Sequence, residues 1–395
     1  MTTSFTEIEI GPTGGVFPAG PLQSAAATAD GVSVTFAGGT VVLPGDWLRD
    51  NCPCDRCRIR QTDERRWQPW SDTAAARADR VDVSDGSLAV QWSSGHESTY
   101  SPATWASIAR AGRRGVYTAR LWQKGYAIER FDHDETIADT VTQRRMFEAF
   151  RRDGAVVVTG SPTVPGTVIE YLRAIRLTLR DSSLGLIFDV KLDPAGYNIA
   201  FTAENVPPHN DNAQYAHPPS GQVLAMLVND ATGGNSVVVD GWSILHKLQA
   251  ADPAAIEVLS RVEVGFRQYS VDADAFCRSP LVVRDRAGRF THLRFSNQLM
   301  QPLEFDDPDL AEWYRAYRIL GTMIADPANH VGFRLTAGDM LFVNGYRVLH
   351  ARTEFVPDGP RHLQDVYFDV DDVFGNLARM TGEAPVEMTA ALPTT

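Results

Sequence analysis

The sequence has no long apolar run, no excess of basic residues and few cysteines. Each absence excludes something. Without about 20 consecutive apolar residues, no membrane-spanning helix is expected. The 37 Lys and Arg are outnumbered by 49 Asp and Glu, for a net charge of -12. The pairs Arg113-Arg114, Arg144-Arg145 and Arg151-Arg152 read as solvated faces, so neither nucleic acid nor a membrane surface is an expected partner. Four cysteines in 395 residues do not make a disulfide framework. The opening Met1-Thr2-Thr3-Ser4-Phe5-Thr6-Glu7 has no basic region followed by an apolar run, so no signal peptide is expected and the expected location is cytoplasmic. There is no internal repeat, and no low-complexity tract beyond an N-terminal stretch rich in Ala, Gly, Pro and Thr.

What remains is an ordinary globular composition, 44% hydrophobic and 22% charged. It is long enough for one large core and a smaller satellite. Residues 1–30 read as a loose lead-in. Residues 31–112 read as a small β-rich domain, with strands Val32-Phe36, Thr40-Leu43, Arg80-Val83 and Leu88-Trp92, hairpin turns at Gly38-Gly39 and Asp85-Gly86, and a helix starting at Pro102 behind a Ser101 cap. Residues 113–134 read as a connector. Residues 135–395 form the larger domain, with helices predicted over 135–152, 166–180, 243–249, 253–261 and 309–325 and a buried strand over 154–159. Many short strands among few helices predict a mainly β fold with flanking helices, a sandwich or jelly roll.

Three of the cysteines, Cys52, Cys54 and Cys57, lie on one tight loop and can share a soft metal ion. His96, in the turn after Leu88-Trp92, is the best candidate for a fourth ligand. A closed tetrahedral zinc site of this kind staples a fold rather than catalysing. Cys277 stands alone and receives no role.

Nine histidines occur. His209 is distinguished by Asp211 two positions on, an offset that places both side chains on one face of an extended segment. His350, at the end of a strand-turn-strand pattern from Leu341, can close the group. Two imidazoles and one carboxylate leave about half an octahedral shell open, which suits Fe(II) that must also bind a co-substrate and dioxygen. A dicarboxylate co-substrate chelating that iron needs a cation at its far end. Arg361, ahead of the strand Leu363-Val370, and Arg352, on the His350 strand, both qualify.

With these residues in place, the chain resembles the γ-butyrobetaine hydroxylase and trimethyllysine hydroxylase group of Fe(II)/2-oxoglutarate dioxygenases, of the TauD-like type, from about Val32 to about Thr381. Trp47-Leu48-Arg49-Asp50-Asn51-Cys52 leading into the Cys-x-Cys-x-x-Cys loop resembles that group's zinc domain. His209-x-Asp211, Ala231-Thr232-Gly233-Gly234-Asn235-Ser236, Val239-Asp240-Gly241, Leu349-His350-Ala351-Arg352 and Arg361-His362-Leu363 follow in the order of its double-stranded β-helix domain. The resemblance implies a hydroxylase that releases succinate and CO2, with ascorbate as reductant and a homodimeric assembly. It implies Arg361 and Thr232 on 2-oxoglutarate, Asn198 and Asn297 on a substrate carboxylate, and Leu184, Phe188, Phe201 and Tyr367 around a trimethylammonium group. Leu184 stands where that group has an aromatic residue, and Phe201 where it has a tyrosine. The expected substrate is therefore a small zwitterion or amine: γ-butyrobetaine-like, a betaine, an amino acid or an aminophosphonate. The retained Asp211 favours hydroxylation. Two alternatives stand beside this reading: a peptide or protein hydroxylase of the same class, and a zinc-stapled β-sandwich binding module without catalysis.

Overall fold

A computed structural model of the chain describes residues 18–391, except 73, 112–115, 184, 195, 197, 271–272 and 383–386. It divides into two compact units, with the division between residues 114 and 115.

The N-terminal unit contains two three-stranded antiparallel sheets. One comprises Leu22–Thr28, Gly31–Phe36 and Gly39–Pro44; the other comprises Ala78–Ser84, Ser87–Trp92 and Glu97–Tyr100. The turns fall at the expected glycines, and Ser101 Oγ accepts from Thr104 N at 3.2 Å to cap the helix Pro102–Ala111. Leu22–Thr28, read from sequence as the end of a lead-in, is instead an edge strand paired with Gly31–Phe36. Its Ala-rich composition hides that role, because only Leu22 in it is fully buried. Alternate residues Val32, Val34, Leu88, Val90 and Trp92 turn inward on Leu48, Tyr100 and Trp105 as one core.

The second unit is a jelly roll, the double-stranded β-helix. Its seven-stranded sheet runs in the order Leu179–Arg180, Arg361–Phe368, Gly221–Asn229, Met340–Asn344, Ala155–Thr159, Arg130–Asp132, with Phe188–Lys191 also paired to Arg361–Phe368. The four-stranded sheet orders Val206–His209, Val348–Arg352, Ser236–Asp240 and His330–Phe333. Alternation explains the layering. Ala155, Val157, Leu341, Val343 and Leu363 face Val238, Val331 and Val348 of the smaller sheet. Their neighbours Val156, Val158, Phe342, Val366 and Phe368 face outward onto helical residues Phe147, Phe150, Tyr171 and Phe374. Gly221 is required at this interface, since a Cβ there would lie 2.4 Å from the Phe368 ring.

The helix expected over 135–152 is two helices, His133–Ala138 and Thr140–Asp153. Asp139 breaks the run because its carboxylate caps the second helix, accepting from Val141 N at 3.1 Å and Thr142 N at 3.0 Å. The helix expected over 166–180 stops at Ala174, and Arg176 at φ 62° turns the chain into the short strand Leu179–Arg180. Beneath the smaller sheet, Arg347 and Asp240 form a fully buried bidentate pair at 3.0 and 2.8 Å. Asp240 also caps the helix Gly241–Ala251.

Candidate active site

His209 ends the strand Val206–His209 and lies directly opposite His350 on Val348–Arg352. Opposed residues of an antiparallel pair share a face, and the two imidazole centroids are 4.3 Å apart. The expectation of an extended His-x-Asp segment is corrected here: the strand ends at His209, and Asp211 sits in a turn. Asn210 fixes that turn. Its carboxamide donates to the Gly345 carbonyl and accepts from Phe295 N, both at 2.7 Å, while its own N donates to the Phe295 carbonyl at 2.8 Å. Asn212 follows at φ 58°, the left-handed conformation that asparagine tolerates. The result brings one ligand atom each from His209, Asp211 and His350 within 4.8 Å of one another. His209 Nε2 is 3.2 Å from Asp211 Oδ1, and His350 Nε2 is 3.7 Å from Asp211 Oδ2.

His209 Nδ1 lies 2.9 Å from the Pro207 carbonyl. A proton held there leaves the Nε2 lone pair facing its partners, as a metal-ligating histidine requires. Burial and the neighbouring His209 push His350 down to about 4, so it stays neutral. Burial works against a charge on His209, but the hydrogen bond and charge of Asp211 outweigh it and raise its pKa. A metal cation would compete with that proton.

Three buried groups that sequence reasoning missed or assigned otherwise surround Asp211. Gln222 Nε2 donates to Asp211 Oδ2 at 2.6 Å and to both oxygens of Asp365 at 3.0 and 2.9 Å. The Tyr367 hydroxyl lies 2.9 Å from Asp211 Oδ2 and 2.8 Å from Asp365 Oδ2. Tyr367, expected as a cage wall, thus lines the cavity with its hydroxyl already engaged. Burial first, and then the charge of Asp211, lifts the Asp365 carboxyl well above its ordinary range. The available signal for Gln222 was a polar residue inside a largely apolar strand; Asp365 lies among other polar residues of its strand and offered none.

The triad opens into a cavity of about 930 Å³, its open mouth included. Arg361 and Arg352 both line it. Arg352 is spent on the backbone, donating to the carbonyls of Ala200, Thr202 and Glu204 at 3.1, 2.6 and 2.8 Å. Arg361 is 8% exposed, has no hydrogen bond or ion pair to a described residue, and is pushed down to about 10 by burial and by the charges of Arg352 and Arg334. A buried unpaired guanidinium is costly, and a carboxylate ligand would relieve that cost. Of the two arginine candidates, Arg361 is the one whose guanidinium has no hydrogen-bond partner among the described residues.

The remaining expectations divide. Phe188 and Asn198 line the cavity; Phe201 does not, but packs edge-on against Phe188 with centroids 5.4 Å apart. Thr232 is corrected: it is exposed, lies off the cavity lining, and bonds Asp358 through both its N and its hydroxyl at 2.8 and 2.7 Å. Asn297 is corrected too. It lies off the lining, with its carboxamide oxygen accepting from the Tyr317 hydroxyl at 2.7 Å, while its neighbours Ser296 and Gln298 face the cavity. Leu184 lies outside the described residues.

In the N-terminal unit, His96 Nε2 stands 3.4, 3.7 and 3.6 Å from the Sγ atoms of Cys52, Cys54 and Cys57. Burial, and then the charges of Arg49 and Arg56, keep this imidazole neutral. Arg49, stacked 4.0 Å over Trp67, donates to Cys57 Sγ at 3.1 Å. Four inward-facing soft donors with a cation on a thiol match a closed tetrahedral metal site.

Comparison with known proteins gives a consistent grouping. Residues 121–367 match the model of the taurine catabolism dioxygenase TauD, TfdA family, and residues 24–105 match the γ-butyrobetaine hydroxylase-like N-terminal model. The chain is 35% identical over 368 residues to γ-butyrobetaine dioxygenase of Pseudomonas sp. (strain AK-1), covering 90% of this chain and 95% of that one. Its identity to γ-butyrobetaine dioxygenase of Homo sapiens is 25% over 364 residues, with 85% and 90% covered. For trimethyllysine dioxygenase of Meyerozyma guilliermondii it is 24% over 387 residues, with 90% and 95% covered. Among the described residues, no helix is long and apolar enough to cross a membrane.

Proposed function

The chain belongs to the TauD, TfdA family of dioxygenases, and on that premise we propose that it is an Fe(II)- and 2-oxoglutarate-dependent hydroxylase of a small zwitterionic or amine substrate. The observation that carries the reading is the buried, unpaired Arg361 in the same cavity as a three-ligand group with room for further ligands. His209, Asp211 and His350 hold the metal, and Arg361 grips the distal carboxylate of 2-oxoglutarate. Iron and 2-oxoglutarate, when bound there, would supply oxidative decarboxylation of 2-oxoglutarate to succinate and CO2 coupled to hydroxylation of the substrate by O2.

This chain's residues do the positioning. The paired strands fix both histidines, Asn210 fixes the turn that carries Asp211, and the half-enclosed cavity limits water around the reacting C–H bond. The substrate class draws on the likeness to the 35% identical γ-butyrobetaine dioxygenase. The thinner aromatic wall, with Phe188 and Tyr367 lining but Phe201 behind, extends it to betaines, amino acids and aminophosphonates. Cys52, Cys54, Cys57 and His96 hold a structural zinc ion. A homodimer belongs to the same reading, and light scattering at twice the chain mass would support it.

The test is succinate release from 2-oxoglutarate with Fe(II), ascorbate and air, across γ-butyrobetaine, other betaines, trimethylated and free amino acids and aminophosphonates. Stimulation by one of these compounds, lost in Asp211→Ala, is the expected result. Stimulation by peptides alone would favour a peptide hydroxylase. No consumption with any compound, together with failure to bind Fe(II), would favour a binding module.

A further inference from the structure

Two groups beside Asp211 that are not metal-ligand candidates converge on one of its two oxygens. Gln222 Nε2 and the Tyr367 hydroxyl both address Oδ2, at 2.6 and 2.9 Å, with His350 Nε2 further off at 3.7 Å, whereas Oδ1 has only His209 Nε2, at 3.2 Å. The orientation of Gln222 follows from chemistry, because its carbonyl oxygen cannot face the ionised Asp211 carboxylate. Nor can either group drift: Asp365 accepts from Gln222 through both oxygens, and its Oδ2 lies 2.8 Å from the Tyr367 hydroxyl. The register holds the three on adjacent strands, with Gln222 opposite Tyr367 and Asp365 two residues before it. Gln222, Asp365 and Tyr367 are 3%, 3% and 4% exposed, so water does not supply these contacts instead. This is a costly arrangement for structure alone, since the buried Asp365 carboxyl stands beside Asp211 with no ion pair to a described residue.

We propose that Gln222 and Tyr367 are positioning residues that restrict Asp211 to one-oxygen ligation of the metal, and that Asp365 holds both in place. A carboxylate can bind a cation through one oxygen or two. Two-oxygen ligation would occupy one of the positions that a co-substrate or dioxygen needs. Engaging Oδ2 from two sides keeps that position open. The inference rests on the proposed iron site.

The test uses full-length protein and Co(II), whose absorption spectrum reports coordination number. Gln222→Met and Tyr367→Phe are compared with the parent chain in anaerobic Co(II) and Fe(II) titrations, with and without 2-oxoglutarate. Loss of an outer partner of a metal ligand typically weakens metal binding by about 10–100-fold, and each variant is expected to fall in that range. Their Co(II) bands should also change intensity, and the KM for 2-oxoglutarate should rise. A purely structural role would lower the melting temperature and leave the Co(II) affinity and spectrum at parent values; that result in both variants overturns the proposal. Tyr367→Phe removes a single oxygen and carries the test alone if Gln222→Met does not fold. If the parent chain itself binds neither metal, the iron reading fails first and this inference falls with it. If the parent binds and the variants match it, only the inference fails.

Discussion

The two metal-ligand clusters differ in how they are built. In the N-terminal unit a loop and one turn supply three thiols and an imidazole, and every metal position is taken by protein. In the jelly roll, two paired strands and a pinned turn supply two imidazoles and one carboxylate, facing a cavity with an unpaired arginine. Soft donors complete in number make a staple, whereas mixed donors short of a full shell, on rigid strands, leave room for chemistry. The supporting residues follow the same division. Arg49 adds positive charge beside a thiol, while Gln222 and Tyr367 fix one oxygen of a carboxylate.

The comparison can be broken most sharply at the staple. Binding of a structural zinc is worth about 10–16 kcal/mol in small zinc domains, so Cys52→Ser or a strong chelator should unfold residues 18–111. Hydrogen exchange would show protection lost there and kept in the jelly-roll strands; equal loss in both units would contradict separate roles. Next comes Asp211→Ala, which removes a ligand and should cut substrate-stimulated turnover by more than about 100-fold, the upper cost of losing an outer-shell partner. Its thermal stability should stay near that of the parent, as measured by calorimetry. Arg361→Ala should raise the KM for 2-oxoglutarate by roughly 10–100-fold, the worth of a charged hydrogen bond at about 1.5–3 kcal/mol. Arg361→Lys should recover only part of that, because it cannot bind bidentately.

The smallest effect is in the pH dependence of metal binding. Asp211 raises the pKa of His209, so at the iron site a proton must leave before metal binds. Fe(II) affinity should fall about tenfold per unit as pH drops below that pKa, and level off above it. At the thiol cluster, burial pushes Cys57 up to about 12. Zinc must displace more than one thiol proton there, which should make its slope steeper. Titrations over pH 5.5–8 would compare the slopes; equal ones would remove this distinction.

Much of this plan is legible in the residues because metal ligands and strand alternation are local signals. Cys52-x-Cys54, His209-x-Asp211 and runs such as Leu341-Phe342-Val343 each announce themselves within a few positions. Long-range polar partners do not. Gln222 and Asp365 meet beside Asp211 only after the sheet has formed; Gln222 reads in isolation as an odd polar residue in a largely apolar strand, and Asp365 as one of several polar residues in its own. Thr232 and Asn297 fail for the opposite reason. Their motifs fall in the right order, yet Asp358 and Tyr317 hold their side chains away from the cavity. Asp139 shows the same competition locally, where a capping carboxylate divides a helix that apolar spacing alone would continue.

The most direct measurement is metal content against function in one preparation. The protein would be stripped with a mild chelator, assayed for zinc and iron, and then titrated with Fe(II) while 2-oxoglutarate consumption is followed. The account predicts one retained zinc per chain and consumption that rises with Fe(II) to saturation at one equivalent. Consumption that follows zinc content, or that is indifferent to Fe(II), would contradict it.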